Sequence, residues 1–357
     1  MAGTGDFFAI DRHAWPKVCH LGLNPAVAYL VLARFSDRAN RVTAASVNAV
    51  EKYTNISRGR SQGAVRSLVE AKLITQTKGG SRPVYDLLPQ RGTQMAGRTE
   101  NAEQWIWLPN ALVTGAAGEI PPVELVRQTQ DAMALRLLVE LYDSHNLRED
   151  GGVSRSVTYQ DFSREKVGQQ GPFVVWGFSA GSQFVCWGTP VTDCHDRKPT
   201  AEEKKAGKTN GSDFFLRLGS LLRLGLVEFV PHLFESEHAE AERLHPYRFW
   251  SGTGDAIESR IGVAADDAAR SLLTEGQTDW ADRDGLLLVP VYEHLASVAL
   301  IGVARLRYLP RTSLTAAWFG DQRERGEKWL RHYEGIAQAA REGRSLTSLA
   351  SPMALAS

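Results

Sequence analysis

Between Thr43 and Leu88 the apolar positions change their period. Val65, Leu68, Val69 and Leu73 recur at three- and four-residue steps, which places them on one face of a helix. A helix precedes it; Thr43 can cap its start by accepting from the free N–H groups of the first turn, and the break at Tyr53-Thr54-Asn55 ends it. Ser57 or Ser61 can cap the second helix in the same way. The side opposite the apolar stripe, with the helix start, carries Arg58, Arg60, Ser61, Gln62 and Arg66. Ile74–Thr77 and Pro83–Tyr85 then read as strands joined by the flexible turn Lys78-Gly79-Gly80-Ser81.

Upstream, Phe7–Ile10 reads as a short strand, and Asn24-Pro25 opens a helix, proline being at home in a first turn. From Ala26 to Phe35 that helix is almost continuously apolar, through Val27, Tyr29, Leu30, Val31 and Leu32, which predicts burial on most sides. A first domain therefore spans 7–89. Gln90–Asn101 is polar, contains glycine and has no period, and reads as a linker.

Helix, turn and helix with a basic exposed face, followed by a glycine-tipped basic hairpin, resembles the winged helix-turn-helix superfamily. The residues that carry the resemblance are Ile56-Ser57-Arg58, the run Val65–Ile74 and the tip Lys78–Arg82. It implies that the second helix lies in the major groove of double-stranded DNA while the hairpin touches the backbone beside it. The implied contacts are Thr43, Ser57, Arg58, Arg60, Ser61, Gln62, Arg66, Lys78 and Arg82. The same fold also serves as a protein-interaction module. Charge favours DNA: over Asn40–Gln90, eight basic residues oppose three acidic ones, 8 − 3 = +5, whereas the whole chain carries 41 of each sign.

The pattern returns further on. Ala134–Asn146 falls on Ala28–Asn40 without a gap, and Ile106-Trp107-Leu108 stands ahead of it as Phe8-Ala9-Ile10 stands ahead of the first copy. Gly219–Val227 echoes Arg66–Ile74, and His245-Pro246-Tyr247 echoes Arg82–Tyr85. Three matches in one order predict a second, diverged copy over 102–250. Its helix, Ser212–Leu224, carries Phe214, Phe215 and Leu218 with only Arg217 and Arg223 for charge, which suits a protein partner; Glu235, Glu237, Glu240 and Glu242 surround its wing. Within it lies an insertion, 151–210, in which Pro172–Gly188 reads as a hairpin turning at Ser179-Ala180-Gly181-Ser182. Lys198–Gly211, with Lys204, Lys205 and Lys208, reads as a charged loop.

The remainder, 251–344, does not repeat: Asp255–Thr274 and Asp321–Arg341 read as helices, Leu286–Tyr292 and Val298–Leu309 as strands. It is expected to bind a partner or to form a homodimer, which would set two DNA-reading helices over two half-sites. The tail 345–357 is expected to be disordered. The expected fold class is thus α+β, two winged-helix domains in tandem, the second with a β-hairpin insertion, plus a C-terminal α/β region. Tandem winged domains are similar to plasmid-type replication initiators.

Motifs for chemistry are weak. Gly177-Phe178-Ser179-Ala180-Gly181 fits G-x-S-x-G, but the strand-like run after it lacks the helix that a nucleophile elbow needs. Cys186, Cys194 and His195 match no zinc spacing and read better as free cysteines. No phosphate-cradling or dinucleotide loop occurs, so no cofactor, no metal and no catalysis are expected. With 357 residues, 43% hydrophobic, three cysteines, no signal-like start and no long apolar run, the chain reads as a cytoplasmic protein away from membranes. The expected function is sequence-specific DNA binding, as initiator or transcriptional regulator of a mobile element. A protein–protein adaptor in a mobile-element or defence assembly, and a hydrolase built on Ser179, are the alternatives.

Overall fold

The computed structural model describes residues 6–80, 82–90, 104–207, 211–247, 256–295, 297–310 and 312–349. The expected linker from residue 91 on, Ser81, Lys208 and the tail from residue 350 on lie outside them. The architecture is α+β and falls into two compact units, Met1–His145 with Gly188–Val227 and Leu306–Thr315, and Asn146–Trp187 with Glu228–Arg305 and Ala316–Ser357. These units do not follow the expected order along the chain. The expected insertion is divided: its first part folds with the C-terminal third, and its second part returns to the first unit.

In the first unit the elements begin β1 (Phe7–Asp11), α1 (Ala14–His20), α2 (Leu23–Arg34), β2 (Val42–Thr43), α3 (Val47–Thr54), α4 (Arg58–Glu70), β3 (Ile74–Lys78), β4 (Val84–Leu87) and β5 (Trp105–Pro109). α5 (Ala111–Thr114), α6 (Pro122–Gln128) and α7 (Ala132–Asp143) follow. α1 escaped the period reading because it is short and contains Pro16. The Asp11 carboxylate starts it by accepting from the backbone of His13 at 2.8 Å and Ala14 at 3.0 Å. α2 is buried along Pro25–Ala33 and packs against α1, α3, α4 and β1. The sheet order β2-β4-β3 is antiparallel throughout. Thr43 does not cap α3, which starts at Val47 behind Ser46; its buried hydroxyl donates to Phe35 O at 3.0 Å and accepts from Ala45 N at 3.1 Å.

The first pair of echoing sequence segments, Phe8–Ile10 and Ile106–Leu108, lies on β1 and β5. These strands pair antiparallel with Phe8 opposite Leu108, Ala9 opposite Trp107 and Ile10 opposite Ile106, so the matched triplets sit about a local two-fold. The echo in sequence is also an echo in backbone. α4 closes with Leu73 N donating to Leu68 O at 3.0 Å, and the helix Phe214–Arg223 closes with Leu226 N donating to Leu221 O at 3.0 Å. The aligned positions Lys72 and Gly225 are both left-handed, at φ 56° and 65°. This is the helix-ending turn in which glycine is the unstrained choice.

Within the expected charged loop, the described residues from Lys198 to Gly207 hold regular structure. Ala201–Lys205 is a short helix with a reciprocal cap between Thr200 and Glu203, and Arg197 binds both Glu203 and Asp213. The second unit is built on a six-stranded sheet in the order Arg243–Pro246, Val227–Phe234, Ala299–Leu306, Thr158–Gln170, Phe173–Val185, Leu287–Tyr292. The helices Ala256–Ser271, Glu275–Arg283 and Ser313–Arg341 complete it. Ser179–Ser182 is not a turn. It lies inside the strand Phe173–Val185, with Ser179 opposite Ser163, and the chain reverses instead at Gly171 and Pro172. The partner strand Thr158–Gln170 is too polar to have announced itself. The expected tail is ordered at its start: Leu346 is buried, and the Tyr292 hydroxyl donates to Leu349 O at 2.5 Å. No helix among the described residues is long and apolar enough to cross a membrane.

Two fully buried histidines of the second unit are held neutral. His245 donates from Nδ1 to Pro246 O at 2.9 Å and accepts at Nε2 from Tyr333 at 2.7 Å; burial pushes its pKa down to about 4. His232 is pulled down by burial and then by Arg305, which donates to its Nε2 at 2.6 Å. Because the folded ring binds its proton less readily than the free one, the unfolded chain protonates first as pH falls. The stability contributed by neutral His245 is therefore intact above about pH 6.5 and lost toward about pH 4, up to about 3 kcal/mol. Melting curves should fall through this window, less steeply in His245→Gln; equal slopes for both proteins would refute the assignment. At the left-handed position of the first copy, Lys72→Gly should stabilise by about 0.5–1 kcal/mol in urea unfolding, with a loss of stability as the contrary result.

Candidate nucleic-acid interface

α3 and α4 are set at a fixed angle by a turn whose side chains serve the backbone. Thr54 donates to Val50 O at 2.6 Å, Asn55 takes the left-handed conformation, and Ser61 donates to Ile56 O at 3.2 Å. Arg127 of α6 donates to Thr54 O at 2.7 Å and so ties off the end of α3. Ser61 is fully buried by this bond, and with Thr43 it belongs to the frame rather than to any contact face. The helix begins at Arg58 behind Ser57, whose side chain makes no capping bond.

The inward side of α4 is Ser61, Ala64, Val65 and Leu68, as its period predicts. Ser57, Arg58, Arg60, Gln62 and Arg66 are exposed, and the four-residue spacing puts Arg58, Gln62 and Arg66 on one side. Arg58 donates to Asn48 Oδ1 of α3 at 2.8 Å, a link between the two helices that no pattern in the sequence reveals. Arg60 and Arg66 bond to no described residue. On the hairpin, Thr75 to Lys78 are all exposed, and Lys78 stands opposite Val84 across a register shift, so Lys78 and Arg82 flank the glycine turn. The charged side chain of neither has a partner among the described residues; the Lys78 carbonyl accepts from Gln76 Nε2 at 3.2 Å. Not all the local charge is available: half-buried Arg41 lies over the Trp105 ring at 4.5 Å.

The corresponding helix of the second copy is different in kind. Phe214 is fully buried, edge-on to His195 at 5.8 Å, so it cannot meet a partner as expected. Phe215 and Leu216 are 42% and 66% exposed. Arg217 is spent internally, on Asp213 at 3.3 Å, Asp131 at 3.8 Å and His195 Nδ1 at 2.7 Å. Ser179 has no elbow. Its flanking glycines are explained by packing: a Cβ on Gly181 would stand 2.5 Å from Asp161 O, and one on Gly177 would stand 2.7 Å from Leu286 Cδ1. Cys194 and His195 come together with Glu140, whereas Cys186 belongs to the other unit.

α4 also carries two glycines on its exposed side, Gly59 and Gly63, and a Cβ at either would meet nothing within 4 Å. Inside a helix such a glycine costs about 0.8–1 kcal/mol relative to alanine. Gly63→Ala should accordingly raise stability by about that amount in urea unfolding, and a destabilised variant would contradict the open surroundings. Comparison with known proteins returns no match: no family model, no curated protein and no solved structure matches this chain.

Proposed function

We propose that the chain is a non-catalytic, sequence-specific binder of double-stranded DNA, of the replication-initiator or regulator type, built on two winged-helix modules of which the first carries the contact. In this reading α2, α3 and α4 with the sheet β2-β4-β3 form the first winged module. α4 enters the major groove through Arg60, Gln62 and Arg66, and the Lys78–Arg82 hairpin lies along the phosphates. The observation that carries the reading is the uneven fate of the arginines. On a chain of zero net charge, Arg60, Arg66, Lys78 and Arg82 are exposed and unspent by any described residue, while Arg217 at the equivalent helix is consumed internally. Basic side chains kept out of ion pairs along one helix and one hairpin match what phosphate and base edges require.

The second module keeps the backbone and gives up the charge. Its exposed Phe215 and Leu216 favour a protein contact there, which makes an adaptor role for this half compatible with DNA binding by the first.

The test is fluorescence anisotropy with a random-sequence duplex over a salt series. Removing Lys78 and Arg82 together should weaken binding to any duplex alike and flatten the slope of log affinity against log salt by about one unit per lost phosphate contact. Arg60→Ala and Arg66→Ala should instead relax sequence preference after selection from a random pool, by about 1–3 kcal/mol per lost base contact. Wild-type protein that does not bind duplex DNA at low salt, or an unchanged slope in the double variant, would refute the reading.

A further inference from the structure

The second copy encloses a group of side chains that the proposed DNA contact does not use. Glu140 stands on α7; Cys194 and His195 follow the short helix Pro190–Asp193 and precede the helix Phe214–Arg223. Glu140 Oε2 lies 3.0 Å from Cys194 Sγ and 3.6 Å from His195 Nε2, and all three ligand atoms lie within 4.8 Å of one another. Tetrahedral zinc, with bonds of about 2.0–2.3 Å, holds such atoms about 3.3–3.6 Å apart. The side chain of His195 is 0% exposed, and its Nε2 makes no hydrogen bond. Its nearest polar neighbour, Glu140 Oε2 at 3.6 Å, stands beyond normal hydrogen-bond length, and a buried N–H so poorly satisfied is costly, by up to about 1–3 kcal/mol, so its direction toward a thiol and a carboxylate calls for an explanation.

We propose that Glu140, Cys194 and His195 bind a divalent transition metal of the zinc class, which clips α7 to the segment leading into the second copy's helix. The surroundings support the carboxylate as a ligand: Arg136 holds its other oxygen, Oε1, at 2.7 Å, which fixes the group and turns Oε2 toward Cys194, from whose thiol it accepts at 3.0 Å, and toward His195. Arg217 decides the state of the ring without metal. A guanidinium can only donate, so at 2.7 Å it makes Nδ1 the acceptor and leaves the proton on Nε2. Metal binding reverses this. The ring proton moves from Nε2 to Nδ1, and Arg217 shifts onto Asp213 and Asp131, which it already touches at 3.3 and 3.8 Å. The Cys194 thiol gives one proton to solvent, so the site takes up Zn²⁺ and releases H⁺. The fourth position is open to water.

The experiment uses the full chain, stripped with a chelator and titrated with Co²⁺ and then Zn²⁺. One Co²⁺ per chain should bind with a thiolate-to-cobalt charge-transfer band and be displaced by Zn²⁺, with release of about one proton and a rise in melting temperature. Cys194→Ser should lose the band and His195→Gln should weaken binding at least tenfold, while Cys186→Ser, in the other unit, should behave as the wild type. Absence of the thiolate band in the folded wild type, or a band that survives in Cys194→Ser, would overturn the proposal. The wild-type spectrum decides the matter even if a variant fails to fold, and none of these readings depends on DNA.

Discussion

The first unit depends on the burial of α2. Pro25 to Ala33 are buried without interruption, so this helix has no solvent side and its neighbours must cover it from every direction. Full burial of side chains such as Val27, Tyr29, Leu30, Val31 and Leu32 is worth about 1.5–3 kcal/mol each. That gross sum is comparable with the whole net stability of a domain. α4 is consequently fastened through Ala64, Val65 and Leu68, and its other side has nothing left to bury. The exposed row of arginines is the remainder of that constraint.

The two helices that echo each other in sequence, α4 and Phe214–Arg223, end alike in backbone but differ in surface. They close with the same hydrogen bonds, and Leu68, Leu73 and Ile74 are buried as Leu221, Leu226 and Val227 are. What differs lies outside that seam. Before α4 the turn is held by Thr54, Ser61 and Arg127 of α6, bonded to the backbone, and the side chains of Arg60 and Arg66 of α4 itself bond to no described residue. In the second helix, Arg217 is drawn to Asp213, Asp131 and His195, and a phenylalanine occupies the buried place that Ser61 holds in the first. A charged side chain that satisfies buried or half-buried acids is no longer available to an anionic partner.

In the second unit, two buried histidines are held in hydrogen-bonded networks. Arg305 pairs with Glu258 at 2.7 Å and donates to His232, which in turn bonds to Val230 O at 2.7 Å. His245 and Tyr333 satisfy one another between strand and helix. Such networks tolerate a proton poorly, because a charged imidazole there would face either an arginine or an apolar wall.

The local elements were legible in the sequence. The period of three and four residues placed α4, an apolar run behind Asn24-Pro25 placed α2, and the glycine-tipped alternation placed the β3–β4 hairpin, because these signals depend on neighbours within a few positions; α7 and the helix Phe214–Arg223 followed from their echo of the first segments. For the same reason the exposure of Arg58, Arg60, Gln62 and Arg66 followed from spacing alone. Tertiary structure alone decided the rest. It buried Thr43 and Ser61, turned Arg41 onto Trp105, drew Arg217 inward, and brought Glu140 beside Cys194 and His195. It also ran Ser179 through the middle of a strand and divided the insertion between two units. Each of these depends on a segment far away in the chain. Asp161 pairs with Ile301, and Gly177 with Leu288, across separations that no local period encodes. A side chain's period tells which way it points from its own helix or strand; what it meets there is set by the packing of the others.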